Sequence, residues 1–160
     1  MKKVFITGLL VFIMNGCAIL KPTQVNKLQD TSMYRYAIVG QTQTLTSGSG
    51  AVYMGYGTGG GFGASSSKSI NPADVISGIL MKKGFVILSS PNDKPTLLVQ
   101  YGQGDKRNVL GGLGGYTLSV TIQMLDSKTH DLVFTCSAEG QGDTEADDVR
   151  QAIERCLKDF

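Results

Sequence analysis

The 160-residue chain has no tryptophan, one histidine, three cysteines and little charge of either sign in excess. One histidine and three cysteines leave few ligands for a transition-metal site, and we expect neither a metal nor an organic cofactor. Fifteen basic and thirteen acidic residues give a net charge of +2, and Lys2 and Lys3 account for that excess. Because a nucleic-acid binder needs a basic face, the composition predicts no nucleic-acid partner.

The N-terminal apolar run is too short to cross a membrane, which takes about 20 residues. It covers residues 4–13 and follows the two lysines, as in a signal peptide. The next four residues, Met-Asn-Gly-Cys at 14–17, resemble the lipobox of bacterial lipoproteins. In that family the leader is cut before the cysteine, which carries acyl chains. The resemblance implies a signal peptide over residues 1–16 and a lipid anchor on Cys17; the alternative is an ordinary secretory signal with an incidental cysteine.

The remaining length suits one domain. We interpret residues 17–32 as the lipidated cysteine and a polar tether, and residues 33–160 as a single α+β domain with a glycine-rich insertion at 46–69. The predicted fold has two layers, with a mixed sheet of about five strands and two helices on one face. Strands are predicted over residues 33–45, 85–88, 96–101, 116–126 and 132–140, and helices over residues 71–83 and 144–160.

Two of these elements have clear periodicity. Apolar and polar residues alternate from Tyr116 to Asp126, which is typical of a half-buried strand. Thr144 is a candidate N-cap for the last helix, whose apolar residues fall at helical spacing on one stripe. That stripe comprises Val149, Ala152, Ile153, Cys156, Leu157 and Phe160.

The glycine-rich insertion is the most unusual feature of the sequence. Eight of the sixteen residues from 48 to 63 are glycine, with Tyr53, Tyr56 and Phe62 among them. We expect a loop or a loose hairpin, whose aromatic residues either contact a partner or belong to a tolerated insertion. A dinucleotide site needs the GxGxxG turn between a strand and a helix, whereas the pattern at 55–60 lies inside this low-complexity run of an exported protein, so it does not predict a nucleotide site.

Other polar residues have simpler interpretations. Residues 102–115 are predicted to form a second glycine-rich loop with Lys106 and Arg107 at its tip. The single histidine, His130, is predicted to lie in a solvated turn. Three acidic residues begin the last helix, where the helix dipole stabilises negative charge. We therefore interpret them as part of the helix start and not as a cation site. They are Glu145, Asp147 and Asp148.

If Cys17 carries lipid, Cys136 and Cys156 remain as an even pair. Cys136 shares the inward parity of its strand, and Cys156 lies in the inward stripe of the helix that follows. Both thiols then face one sheet–helix interface, which favours a disulfide between them. The alternative is two buried free cysteines that act as small apolar residues.

The succession of short phrases in the second half of the chain resembles small bacterial lipoproteins classed under domains of unknown function. The phrases are Lys-Gly-Phe at 83–85, Thr-Leu-Leu-Val-Gln-Tyr at 96–101 and the strands at 120–126 and 132–134 before the closing helix. The layout is similar to that of envelope-assembly lipoproteins and of the N-terminal domain of the Tol translocation protein.

That family has no established activity. The lipid anchor, the small α+β body, the neutral charge and the lack of an acid/base or nucleophile constellation lead us to expect a non-enzymatic accessory or assembly factor that binds a protein partner from the membrane surface. Ala18 after the modified cysteine favours the outer membrane, facing the periplasm. The alternatives are a hydrolase of the envelope and a carrier of a small apolar ligand.

Overall fold

A computed structural model describes residues 20–50, 65–109 and 115–160. It has an α+β fold, as predicted. Six strands form one mixed sheet in the order β1-β8-β7-β6-β2-β5, and two more form a separate pair, β3-β4. The elements in chain order are β1 (Gln24–Lys27), β2 (Tyr36–Val39), β3 (Leu45–Gly50), β4 (Ser65–Ile70), α1 (Pro72–Lys82), β5 (Val86–Ile87), β6 (Thr96–Asn108), β7 (Tyr116–Asp126), β8 (Leu132–Gly140) and α2 (Glu145–Leu157).

The alternating segment forms β7, at the centre of an antiparallel meander with β6 and β8. Its apolar residues Leu118, Val120, Ile122 and Met124 are fully buried. Burial of one face fixes the register, because a shift of one residue would move every apolar side chain to the other face. The parallel part of the sheet consists of β2, which pairs with β5 on one side and β6 on the other.

Side-chain caps begin both helices, Asn71 for α1 and, as predicted, Thr144 for α2. The Asn71 side chain accepts a hydrogen bond from the Ala73 amide at 3.0 Å, and the Thr144 hydroxyl accepts one from the Asp147 amide at 3.3 Å. Gly84 follows the first helix with a φ of +88°, a conformation that glycine adopts without strain.

The predicted stripe of α2 is buried over five positions, and α2 packs against β7 and β8, while α1 packs against α2. The five fully buried stripe residues are Val149, Ala152, Ile153, Cys156 and Leu157, and Phe160 is partly buried beside Phe134.

The N-terminal segment differs from the prediction of a tether. Residues 24–27 form β1, an antiparallel edge strand on β8. The four residues of β1 include a single apolar side chain, Val25, which lies opposite Cys136 and packs against the core. One apolar residue among polar neighbours gives no strand periodicity, and for this reason the sequence suggested a tether. Lys21 contacts the body, so any free tether ends before that residue.

The predicted loop over 102–115 is wrong as far as Asn108, because β6 continues to that residue. Gly104 lies where β6 carries one extra residue relative to β7, between the pairs Gln103–Val120 and Lys106–Leu118. A Cβ on Gly104 would lie 2.2 Å from the Ser119 hydroxyl oxygen. Any larger residue at this bulge would have to displace the Ser119 hydroxyl, so this glycine belongs to a strand bulge and does not mark a loop.

The predicted strand over 33–45 is shorter than expected, since only residues 36–39 join the main sheet. Residues 45–50 instead pair with residues 65–70, from Leu45 opposite Ile70 to Gly50 opposite Ser65. The base of the glycine-rich insertion is thus an antiparallel hairpin, one of the two expected forms. Tyr53, Tyr56, Phe62 and the GxGxxG pattern lie outside the described residues.

Candidate functional site: the junction of the N-terminal segment with the body

Cys17 also lies outside the described residues, four positions before Lys21. The described part of the expected anchor site is therefore the place where the chain joins the body. Four charged residues meet there: Lys21 from the N-terminal segment, Arg107 from β6, Glu139 from the end of β8 and Arg155 from α2. We call these four residues the clasp.

Glu139 is the centre of the clasp. Its side chain is only 9% exposed, and Arg107 binds it with two parallel hydrogen bonds. Nε of Arg107 lies 3.2 Å from one carboxylate oxygen of Glu139, and a terminal guanidinium nitrogen lies 2.7 Å from the other. Such a bidentate pair fixes direction as well as distance, because the planar guanidinium matches the carboxylate.

The same carboxylate holds the N-terminal segment. The Lys21 amide donates to it at 3.1 Å, and the Lys21 ammonium nitrogen lies 3.6 Å from its other oxygen. The guanidinium of Arg155 donates to the Lys21 carbonyl at 2.8 Å and to the Glu139 carbonyl. Both backbone polar groups of Lys21 are therefore paired with the body.

The clasp is charged at neutral pH. Hydrogen bonds from Arg107 are the largest cause that lowers the pKa of Glu139 to about 2, with smaller contributions from Lys21. Glu139 raises the pKa of Arg107 in return. A carboxylate with several hydrogen-bond donors keeps its negative charge in spite of burial, because each donor stabilises the ionised form.

Two cysteines on the same elements as Glu139 and Arg155 lie at disulfide distance from each other. The sulfurs of Cys136 and Cys156 are 2.09 Å apart and their Cα atoms 5.6 Å apart, as the two inward faces predicted. Cys156 is next to Arg155 in α2, and Cys136 lies on β8 three residues before Glu139. The bridge therefore connects β8 and α2, the elements that carry Glu139 and Arg155 of the clasp.

The three acidic residues at the start of α2 point to different partners. Glu145 accepts a hydrogen bond from Lys106 at 2.8 Å, and Asp147 accepts one from Lys68 at 2.9 Å. Asp148 is buried, and this burial is the main cause that raises its pKa, although the Gly142 amide donates to it. Within residues 20–50, 65–109 and 115–160, no three His, Cys, Asp or Glu side chains are grouped to hold a metal ion.

Two further predicted positions differ in outcome. Lys106 and Arg107 are not at a loop tip, since both lie on β6 and both form ion pairs. His130 does lie in an exposed turn between β7 and β8, with a φ of +59° and its amide donating to the Asp126 carbonyl.

The sequence interpretation did not identify Glu139 as a functional residue. It lies on the same parity as Ser137 and Thr135, where a polar residue is ordinary. The available signal was its isolation, because Glu139 is the only charged residue in β8. The partners of Glu139 lie 16 to 118 positions away in the chain, and no local pattern predicts them.

Comparison with known proteins gives structural likeness only. No family model and no curated protein matches the chain. A PDZ domain protein from Parabacteroides distasonis matches 88% of this chain, at 12% identity and a TM-score of 0.49, and this chain spans 35% of that protein. A second match, to a variant PelC dodecamer from Paraburkholderia phytofirmans, covers 84% of this chain and 96% of the PelC chain, at 14% identity and a TM-score of 0.44.

Among the described residues, neither helix has the length and hydrophobicity required to cross a membrane.

Proposed function

We propose that this protein is a lipid-anchored lipoprotein of the bacterial envelope, related to those of unknown function, and acts as a non-enzymatic accessory or assembly factor through protein binding. The observation that carries the proposal is the Met-Asn-Gly-Cys motif at 14–17, directly after a short apolar run. Acylation of Cys17 anchors the chain without a spanning helix, because two or more acyl chains hold a protein stably on a bilayer.

The cysteine pair supports export. Disulfides persist in oxidising compartments such as the bacterial periplasm and are rare in the cytosol. Cys136 and Cys156 lie at bonding distance inside the core, and both residues are almost completely buried. An exported protein with a lipid on Cys17 accounts for all three cysteines of the chain.

The far edge of the sheet supports protein binding. β5 is the last strand of the six-stranded sheet, and its Val86 side chain is exposed. Met81 on the adjoining helix α1 is exposed as well. An edge strand beside exposed apolar side chains is suited to a protein partner, which can add a strand and cover the apolar surface.

Acylation is tested by growing cells that express the full chain with labelled palmitate. The native chain should incorporate label and sediment with membranes, and Cys17→Ser should lose the label and accumulate as unprocessed precursor. The double variant Cys136→Ser/Cys156→Ser keeps Cys17 as the only thiol and should retain the label. A Cys17→Ser chain that is still cut and still membrane-bound contradicts the proposal.

Protein binding is tested by photo-crosslinking in intact cells. A crosslinking residue at Val86 should capture a partner protein, whereas one at Asp93, which is also exposed but outside the sheet edge, should not. Recovery of the free monomer alone from Val86, Met81 and a set of other exposed positions would count against an accessory role.

A further inference from the structure

The ion pairs of the described residues lie along one end of the molecule. Lys68 of β4 pairs with Asp147 at 2.9 Å, and Glu145, two residues earlier in α2, pairs with Lys106 of β6 at 2.8 Å. Arg107, the residue after Lys106, pairs with Glu139, which also forms an ion pair with Lys21. We call this row, from Lys68 to Lys21, the charged band.

The charged band lies at the end of the sheet opposite the turn between β7 and β8. Arg107 and Glu139 are near the last residues of their strands, whereas residues 127–130 connect the other ends of β7 and β8. β6 reaches from one end to the other, and its thirteen residues correspond to about 40 Å of extended strand. The molecule thus has one end marked by ion pairs and another marked by the 127–130 turn.

Chain length restricts where a lipid on Cys17 can be. Only three residues, 18–20, separate Cys17 from Lys21. A fully extended chain covers at most about 3.6 Å per residue, so the Cα of Cys17 lies within about 14 Å of the Cα of Lys21. The clasp holds both backbone groups of Lys21, so this short distance is measured from a fixed point on the body.

We propose that the charged band is the surface that faces the membrane, in contact with the phospholipid headgroups around the anchor. This inference rests on the proposed lipidation of Cys17 and adds an orientation to it. The band carries exposed cations, with the Lys21 side chain 68% and the Lys106 side chain 47% exposed, beside the carboxylates that pair with them. This mixture of charges is compatible with zwitterionic headgroups, which carry both a phosphate and an ammonium group.

The orientation can be measured with a single fluorophore on the full-length lipoprotein. Asn108 is exposed at the band end of β6, and Asp93 is exposed three residues before the other end of that strand. Asn108→Cys and Asp93→Cys each add one free thiol, because the native cysteines are occupied by lipid and by each other. The detergent-purified variants are labelled and reconstituted into phosphatidylcholine vesicles that contain lipids with a nitroxide on the headgroup.

We expect the nitroxide to quench the label at position 108 several-fold more than the label at position 93. A flexible Gly-Ser insertion of about fifteen residues after Ala18 keeps the anchor but adds roughly 20 Å of reach. In that matched control, quenching at position 108 should fall to the level at position 93.

Two failures are distinguishable in this experiment. If the protein carries lipid and binds vesicles but the two labels are quenched equally, the proposed orientation is wrong although the anchor stands. If mass analysis finds an unmodified Cys17 that reacts with the fluorophore, lipidation itself is wrong, and the proposed orientation falls with it.

Discussion

Two segments of this protein are attached to the body by ion pairs, but in different surroundings. At the N-terminal junction, the Glu139 side chain is 9% exposed and is bound by Arg107, the Lys21 amide and the Lys21 ammonium. At the hairpin of β3 and β4, Lys68 pairs with Asp147, and these side chains are 52% and 30% exposed. Ion-pair distances are alike, at 2.7 and 2.9 Å, so burial and the number of donors distinguish the two attachments.

Besides this ion pair, both strands of the hairpin contact α2. The hairpin's apolar residues with described surroundings are at the base, where Ile70 is buried and Leu45 is partly buried opposite it. The rest of both strands is serine, threonine, glycine and Lys68. The chain therefore places a buried carboxylate where the N-terminal segment joins the body, and an exposed ion pair between the described part of the hairpin and α2.

The largest expected effect comes from the disulfide, which links β8 to α2 next to Glu139 and Arg155 of the junction. Replacing both cysteines by alanine in Cys136→Ala/Cys156→Ala should lower the free energy of unfolding by about 3 kcal/mol, because the bridge closes a loop of about 20 residues in the unfolded chain. Chemical denaturation with and without reductant measures the change. Reductant should destabilise the native chain and leave the double variant unaffected, and equal stability of the two chains would contradict a formed bridge.

The second test removes the centre of the clasp. Glu139→Ala leaves Arg107 and the Lys21 amide without their acceptor, and we expect a loss of about 2–3 kcal/mol, below the 3–5 kcal/mol typical of a fully buried pair because Arg107 is partly exposed and can be hydrated. Denaturant titration gives the value. A loss below that of Glu145→Ala, which breaks a more exposed pair on the same band, would show that burial does not distinguish the two attachments.

The parts of the fold that sequence predicted are those with local patterns. The alternation from Tyr116 to Asp126 and the stripe of α2 each repeat over more than ten residues, and both elements are present where expected. The Cys136–Cys156 proximity followed from combining the stripe of α2 with the inward parity of β8. The strand β1 and the second half of β6 were missed because a lone Val25 and the glycines at 102 and 104 give no periodic signal.

The clasp was missed for another reason. Each of its contacts joins residues that are far apart in the chain, and each depends on which strands become neighbours. The sheet order β1-β8-β7-β6 brings Lys21, Glu139 and Arg107 to one end only once β1 is recognised as a strand. The missed strand β1 and the predicted loop around Arg107 together hid the site that connects the N-terminal segment to the body.

The pH dependence of stability separates the two attachments further. The folded pKa of Glu139, about 2, lies below its value of about 4.5 in the unfolded chain, so the ionised clasp stabilises the protein fully above pH 4.5. This contribution is lost as pH falls toward 2, and we expect it to decrease by about 2 kcal/mol between pH 6 and pH 3. The measurement is the difference in unfolding free energy between the native chain and Glu139→Gln as a function of pH.

Subtracting the Glu139→Gln curve is necessary because other carboxylates titrate in the same range. Hydrogen bonds lower the pKa of Asp126, Glu145 and Asp147, while burial raises that of Asp148, whose protonation opposes the trend. These groups are present in both chains and largely cancel. A difference that stays constant from pH 6 to pH 3 would mean that Glu139 is not stabilised as an anion.

The smallest effect is expected at the hairpin. Lys68→Ala removes the largest cause of the lowered pKa of Asp147, so the pKa of that carboxyl should rise toward its ordinary value, a change that NMR titration detects. The free energy of unfolding should fall by less than about 1 kcal/mol, because exposed ion pairs gain little over hydration of the separate charges. High salt should abolish even this difference by screening the exposed pair, whereas the larger loss in Glu139→Ala should persist, since buried pairs are screened much less. A loss of unfolding free energy in Lys68→Ala as large as that in Glu139→Ala would overturn the contrast between the buried ion pair at the junction and the exposed ion pair at the hairpin.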